Sequence, residues 1–159
     1  MKIVFTRDKE GADKHSVRLE REDGTTYWTP MTPFFVEHDL THYAVETVLG
    51  LKEAFWGLMA QGWEIESFEE RQKDSRKVVV LPDEAYLAES LVAVVQVDYS
   101  AGPFAWDAFM QMMRNYYSTW AMEPPAFSEE QLEAIRNLRD ELFGRWRSLS
   151  PGQTIELDF

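Results

Sequence analysis

Apolar and polar side chains alternate with a two-residue period at the two ends of this chain, and helical spacing fills the middle. That segregation constrains the fold more than any other feature. Strands divided between the termini share a sheet only if the chain returns on itself. Ile3, Val4 and Phe5 form a first short strand. Val17 and Leu19 alternate with Arg18 and Glu20 up to Asp23-Gly24, a dipeptide that tolerates the positive φ of a tight hairpin. A two-residue loop there pairs Leu19 with Trp28, Arg21 with Thr26 and Glu20 with Tyr27. Val17, Leu19 and Trp28 then share one buried face. At the other end Ser150-Pro151-Gly152 turns the chain, and Ile155, Leu157 and Phe159 alternate. The expected fold is α+β. A small antiparallel sheet from residues 2–7, 16–22, 25–30 and 153–159 packs one face against a bundle of about four to five helices.

Pro30 and Pro33 mark 30–37 as a non-helical crossing, and a helix follows from His38 or Asp39 with Asp39 as its N-cap. Leu40, Tyr43, Ala44, Thr47, Val48 and Leu51 recur at three- and four-residue spacing. Gly50 ends or kinks this helix, and 51–59 continues as a second piece stopping at Gln61-Gly62. Both pieces are apolar around much of their circumference, which places them centrally. Residues 64–77 are densely charged and read as a solvated loop or frayed helix end; 78–81 are too short to assign. Pro82-Asp83-Glu84 starts a helix to about Tyr99, with strand as the alternative because of its valines. Trp106, Phe109, Met110, Met113, Tyr117 and Trp120 form a helical stripe, read as core before partner surface. Ser128 and Gln131 make the capping box of a last helix that turns Leu132, Ile135, Leu138, Leu142 and Trp146 inward.

A chain of 159 residues suits one domain, 1–159. It has no cysteine, which excludes disulfides, thiolate metal sites and cysteine nucleophiles. Sixteen Lys and Arg stand against 28 Asp and Glu, a net charge of −12, and no lysine follows Lys77. Such a surface repels phosphate backbones, so nucleic acid is not an expected partner. The start of the chain lacks the apolar segment of an export signal. No apolar run approaches the roughly 20 residues that span a bilayer. The expectation is a cytoplasmic protein with no membrane partner, whose associations are a protein partner or a homo-oligomer.

Chemistry concentrates near residue 40, where two of the three histidines, His38 and His42, lie four residues apart. On a helix their Cβ atoms are about 5–6 Å apart on one face. Two imidazoles at that spacing can hold one ion, so the implied cofactor is a divalent metal such as zinc. Glu46 follows after another four residues. A helix rises about 12 Å from residue 38 to 46, beyond the combined reach of about 6 Å for an imidazole and about 5 Å for a carboxylate. Glu46 is therefore expected to support His42 rather than to share the ion with both histidines. A third ligand would come from elsewhere, and His15, Glu37, Glu64 and Glu66 are the candidates. The pattern resembles the His-Glu-x-x-His of the zincins with Asp39, one methylene shorter, in place of the glutamate that polarises water. Two functions remain open. One is a binding or interaction domain in which His38 and His42 are structural or hold a ligand. The alternative is a divalent-metal-binding domain whose chemistry would be metal-dependent hydrolysis. No catalytic residue is assigned, because neither a Gly-rich phosphate loop nor a Gly-x-Ser-x-Gly elbow occurs.

The string His38-Asp39-Leu40-Thr41-His42-Tyr43-Ala44-Val45-Glu46 is followed by Ala54-Phe55-Trp56-Gly57-Leu58 and Ala60-Gln61-Gly62. With Trp146, Leu149, Pro151 and Gly152 before the closing strand, it resembles a family of small uncharacterised bacterial proteins. The resemblance covers most of the chain in outline and is specific in these segments. It implies a self-contained domain of bacterial, cytoplasmic origin and carries no activity.

Overall fold

Lys2–Thr6 (β1) is an inner strand of the sheet and joins the hairpin from the start of the chain to the closing strand. His15–Glu20 (β2) and Thr26–Met31 (β3) extend one side, and Thr154–Asp158 (β4) closes the other, giving the antiparallel order β3-β2-β1-β4. This is a computed structural model, and it describes residues 1–8, 14–65, 67–68, 81–118, 123–124 and 126–159. Ile3 stands between Leu19 and Leu157, and Phe5 between Val17 and Ile155, all of them buried. The chain ends are tied together: the Met1 amine donates to the Phe159 carbonyl at 2.7 Å, and the Phe159 N–H donates to the Met1 carbonyl at 2.9 Å. The α+β architecture is the one the end-and-middle pattern requires.

The hairpin register differs by one residue from the expected one. Glu20 pairs with Thr26, Leu19 with Tyr27 and Arg18 with Trp28. Here the turn is one residue longer: Gly24 N–H donates to the Arg21 carbonyl at 3.0 Å, and Arg21 N–H to the Thr25 carbonyl at 2.9 Å. This is a turn followed by a bulge, with Gly24 at φ +84° supplying the left-handed residue. Asp23 Oδ1 accepts from the N–H and hydroxyl of Thr25 at 2.9 and 2.7 Å and fixes that geometry. One added residue exchanges the two faces of a strand. Tyr27 therefore enters the core, and Trp28 is left 60% exposed. Strand β3 also runs through Pro30, which its outermost position permits.

Pro33–Leu49 (α1) begins well before His38, with Thr32 at its N-cap and Pro33 as its first residue. A proline there loses no helical hydrogen bond and brings a suitable φ. Pro33 thus starts the helix rather than prolonging a crossing, and Asp39 is a buried interior residue instead of a cap. Gly50 ends α1 at φ +68°. The helix does not resume at residue 51 as expected; Phe55–Ala60 (α2) begins later. The intervening chain presses the Lys52 carbonyl against Gly57, where a Cβ would lie 2.1 Å from the oxygen. Only glycine permits that approach. Arg21 closes the far end of α2, donating to the Met59 and Trp63 carbonyls at 2.6 and 2.8 Å.

Asp83–Ala101 (α3) is helical throughout, valines included, because its buried side faces helices rather than a strand. Leu91, Val92, Val94 and Val95 pack with Phe109 and Met113 of Trp106–Ser118 (α4) and with Leu132 and Ile135 of Glu129–Ser148 (α5). At the start of α5 the Gln131 N–H donates to Ser128 Oγ at 3.2 Å, and the Ser128 N–H donates to Gln131 Oε1 at 2.9 Å. Replacing Ser128 by alanine should destabilise the protein by about 1 kcal/mol. Urea unfolding measures this, and an unshifted midpoint would show that the cap contributes nothing. Residues 78–80, Glu66, Trp120 and most of 64–77 lie outside the described residues. Among the described residues no helix is long and apolar enough to cross a membrane.

Helix α1 lies between two cores. Val36, Leu40 and Tyr43 join the sheet, α2 and the end of α5, whereas Ala44 and Val45 join α3, α4 and α5. Enclosed on both sides, α1 buries Asp39, Thr41, His42 and Glu46 along with its apolar residues. Polar groups buried in this way need partners.

Candidate metal centre

The partners converge on the two histidines. His38 and His42 lie one turn apart on α1 with ring centroids 4.8 Å apart. The Nδ1 of His38 is 3.2 Å from Asp39 Oδ1, and the Nδ1 of His42 is 3.1 Å from Glu46 Oε1. A carboxylate against Nδ1 makes that nitrogen the donor and leaves Nε2 to serve as a ligand. Both Nε2 atoms approach Glu89 of α3, at 3.7 Å from Oε1 for His38 and 3.0 Å from Oε2 for His42. One ligand atom from each of the three residues fits within 4.8 Å of the others. Tetrahedral zinc with bonds near 2 Å separates its ligands by about 3.3 Å. Only a modest contraction would bring these groups onto one ion.

Burial grades across the cluster. Glu46 is fully enclosed and the His42 side chain is 2% exposed, whereas the Glu89 side chain is 62% exposed and closes the cluster from the solvent side. Burial opposes a charge on His42, but hydrogen bonds to Glu46 and Glu89 outweigh it and raise its pKa to about 10. Burial likewise opposes a charge on His38, and Asp39 and Glu89 together hold it above its ordinary value. The hydrogen bonds from His38 and His42 keep Glu89 well below the usual carboxylate range. Burial pushes Asp39 and Glu46 up, and their imidazole partners offset part of that rise. The arrangement is built for positive charge between the imidazoles and Glu89, whether carried by protons or by an ion.

Glu46 also fastens α2 behind His42. Its Oε2 accepts from the N–H groups of Trp56 at 2.9 Å and Gly57 at 3.4 Å, and the Trp56 indole donates to the Asp39 carbonyl at 3.1 Å. Asp39 is 5% exposed and sits on the Nδ1 side of His38, away from Glu89. It orients a ring, and so does not occupy the water-polarising place that the zincin-like spacing suggests.

The third member of the cluster is Glu89, not one of the residues considered from the sequence. His15 begins β2, where its Nδ1 accepts from the Asp8 N–H at 3.3 Å and its ring meets the edge of Trp146. Its ring thus packs on α5, and His15 is not part of the cluster of His38, His42 and Glu89. Glu37 pairs with Arg147 at 2.9 Å, Glu64 is exposed in a loop, and Glu66 lies outside the described residues. Glu89 had one sequence signal: it is the lone charge between Glu84 and Asp98 in an otherwise apolar helical stretch.

His42 and Glu89 form part of the wall of a cleft of about 680 Å³ whose other sides include Phe55, Phe68, Tyr86 and Tyr116. Comparison with protein-family models, curated proteins and solved structures finds no match for this chain.

Proposed function

We propose that this chain is a divalent-metal-binding domain, with a zinc-like ion held by His38 Nε2, His42 Nε2 and Glu89. One observation carries the reading: each imidazole has a carboxylate at Nδ1, while both Nε2 atoms approach the oxygens of a third carboxylate. Two nitrogens and one carboxylate suit zinc among the common divalent ions. Three protein ligands leave a coordination position for water or a ligand, which is the arrangement of metal-dependent hydrolases. A second reading is an interaction domain in which the histidines are structural. It is favoured by the raised pKa of His42, since a proton shared with Glu46 and Glu89 can satisfy the buried ring without a metal.

Elemental analysis separates the two. After zinc exposure and desalting, wild-type protein should retain one zinc per chain, and His38→Ala, His42→Ala and Glu89→Ala should each lose it. Glu89→Ala is the most informative variant because its side chain is largely exposed and its removal leaves α3 intact. A chelator should also lower the melting temperature of the zinc-loaded protein, since an ion bound only to the folded state stabilises it by mass action. Metal-free wild type with unchanged melting in chelator would leave the structural reading in place.

A further inference from the structure

The cleft beside the cluster has a chemistry of its own, which names the kind of molecule it accepts. His42 and Glu89 supply one end, and Phe55, Phe68, Tyr86 and Tyr116 surround the rest. Phe55 joins the histidine to the aromatic wall, with its ring 5.3 Å from His42 and 5.5 Å from Phe68. The volume of about 680 Å³ suits a small organic molecule rather than a bare ion or a water cluster. No lysine or arginine stands among the described residues of the wall, whereas Asp83 and Glu89 do. The chain as a whole carries −12. Among the described residues, an anionic group placed anywhere except on the ion loses hydration without meeting a basic partner.

Resting on the metal-binding reading, we infer that the cleft takes a small molecule with an aromatic or aliphatic body and a single metal-coordinating head. The rest of the molecule is uncharged or cationic. A second anionic group, beyond the head, meets no basic side chain among the described residues of the wall. The head reaches the ion beside His42 and Glu89, and the body lies along Phe55, Tyr86 and Tyr116. Affinity therefore divides into a metal contribution and a ring contribution that can be varied separately.

Titration calorimetry of the zinc-loaded protein tests this with four probes: acetohydroxamate, benzohydroxamate, inorganic phosphate and phenyl phosphate. Benzohydroxamate should bind at least about tenfold more tightly than acetohydroxamate, because only its ring buries apolar surface in the cleft. Phenyl phosphate should likewise bind more tightly than inorganic phosphate, because its phosphate serves as the head and its ring enters the cleft. Tyr86→Ala and Tyr116→Ala should each narrow the hydroxamate ratio while retaining one zinc per chain. Equal affinity for the two hydroxamates, or for the two phosphates, would overturn the inference and leave the metal site standing. Benzohydroxamate binding equally well to zinc-free protein would also overturn it. A wild type that retains no zinc would overturn the metal-binding reading and this inference together.

Discussion

Glutamine at position 46 should leave the protein folded and lower its zinc affinity by about 10- to 100-fold. Glu46 offers one oxygen to His42 Nδ1 and the other to the N–H groups of Trp56 and Gly57. An amide has a single oxygen, and the two backbone donors hold it. The NH₂ group then faces His42 Nδ1, which must accept instead of donate, so the ring proton moves to Nε2 and blocks the ligand atom. Competition against a chromophoric chelator measures the change. Glu46→Ala should behave differently, destabilising the fold by about 3–5 kcal/mol because buried donors and a buried imidazole lose their partner together. Wild-type zinc affinity in the glutamine variant would remove Glu46 from any role in orienting His42.

The second large effect is expected far from the histidines. Asp98, fully buried in the last turns of α3, accepts from Arg136 Nη2 at 2.6 Å and Nε at 3.0 Å, and from the Phe104 N–H at 2.8 Å. Arg136 also donates to the Phe104 carbonyl at 2.8 Å. One carboxylate thereby holds the α3–α4 connection onto α5. Asp98→Ala leaves the Phe104 N–H and two guanidinium donors without that acceptor, while Arg136 keeps its ion pair with Glu133, and should destabilise the protein by about 2–4 kcal/mol. Against a typical total of about 5–15 kcal/mol, that is a large fraction. The double variant with Arg136→Leu should recover part of the loss, because the donors that Asp98 satisfied are removed as well. Urea unfolding of the single and double variants reads both effects. A loss below about 1 kcal/mol in Asp98→Ala would mean that Glu133 and solvent satisfy Arg136 without Asp98.

Local patterns settled most of the architecture. Alternation at Val17–Leu19 and Ile155–Leu157, the capping box at Ser128 and Gln131, and the stripe from Trp106 to Tyr117 each depend on neighbours in the chain, and each stands in the structure. The departures arose where one residue type serves two purposes. Pro33 reads as a helix breaker yet is a favourable first helical residue. Asp23-Gly24 specifies a turn without specifying its length, and one residue in the loop decided whether Tyr27 or Trp28 is buried.

The four-residue spacing of His38 and His42, with Glu46 beyond them, was visible because a helix brings such positions onto one face. Their distance arithmetic also separated Glu46, beside His42 Nδ1, from any ion between the two rings. Glu89 could not be reached in this way. It lies on another helix, and its approach to two imidazoles depends on how α3 crosses α1, a matter of side-chain packing between Ala44, Val45, Leu91 and Val92 rather than of chain spacing. The cleft is likewise a product of assembly, since its rings come from α2, α3, α4 and the segment after α2. Periodicity along the chain thus determined the helix that carries the two histidines, and the packing of separate helices decided the third carboxylate and the space beside it.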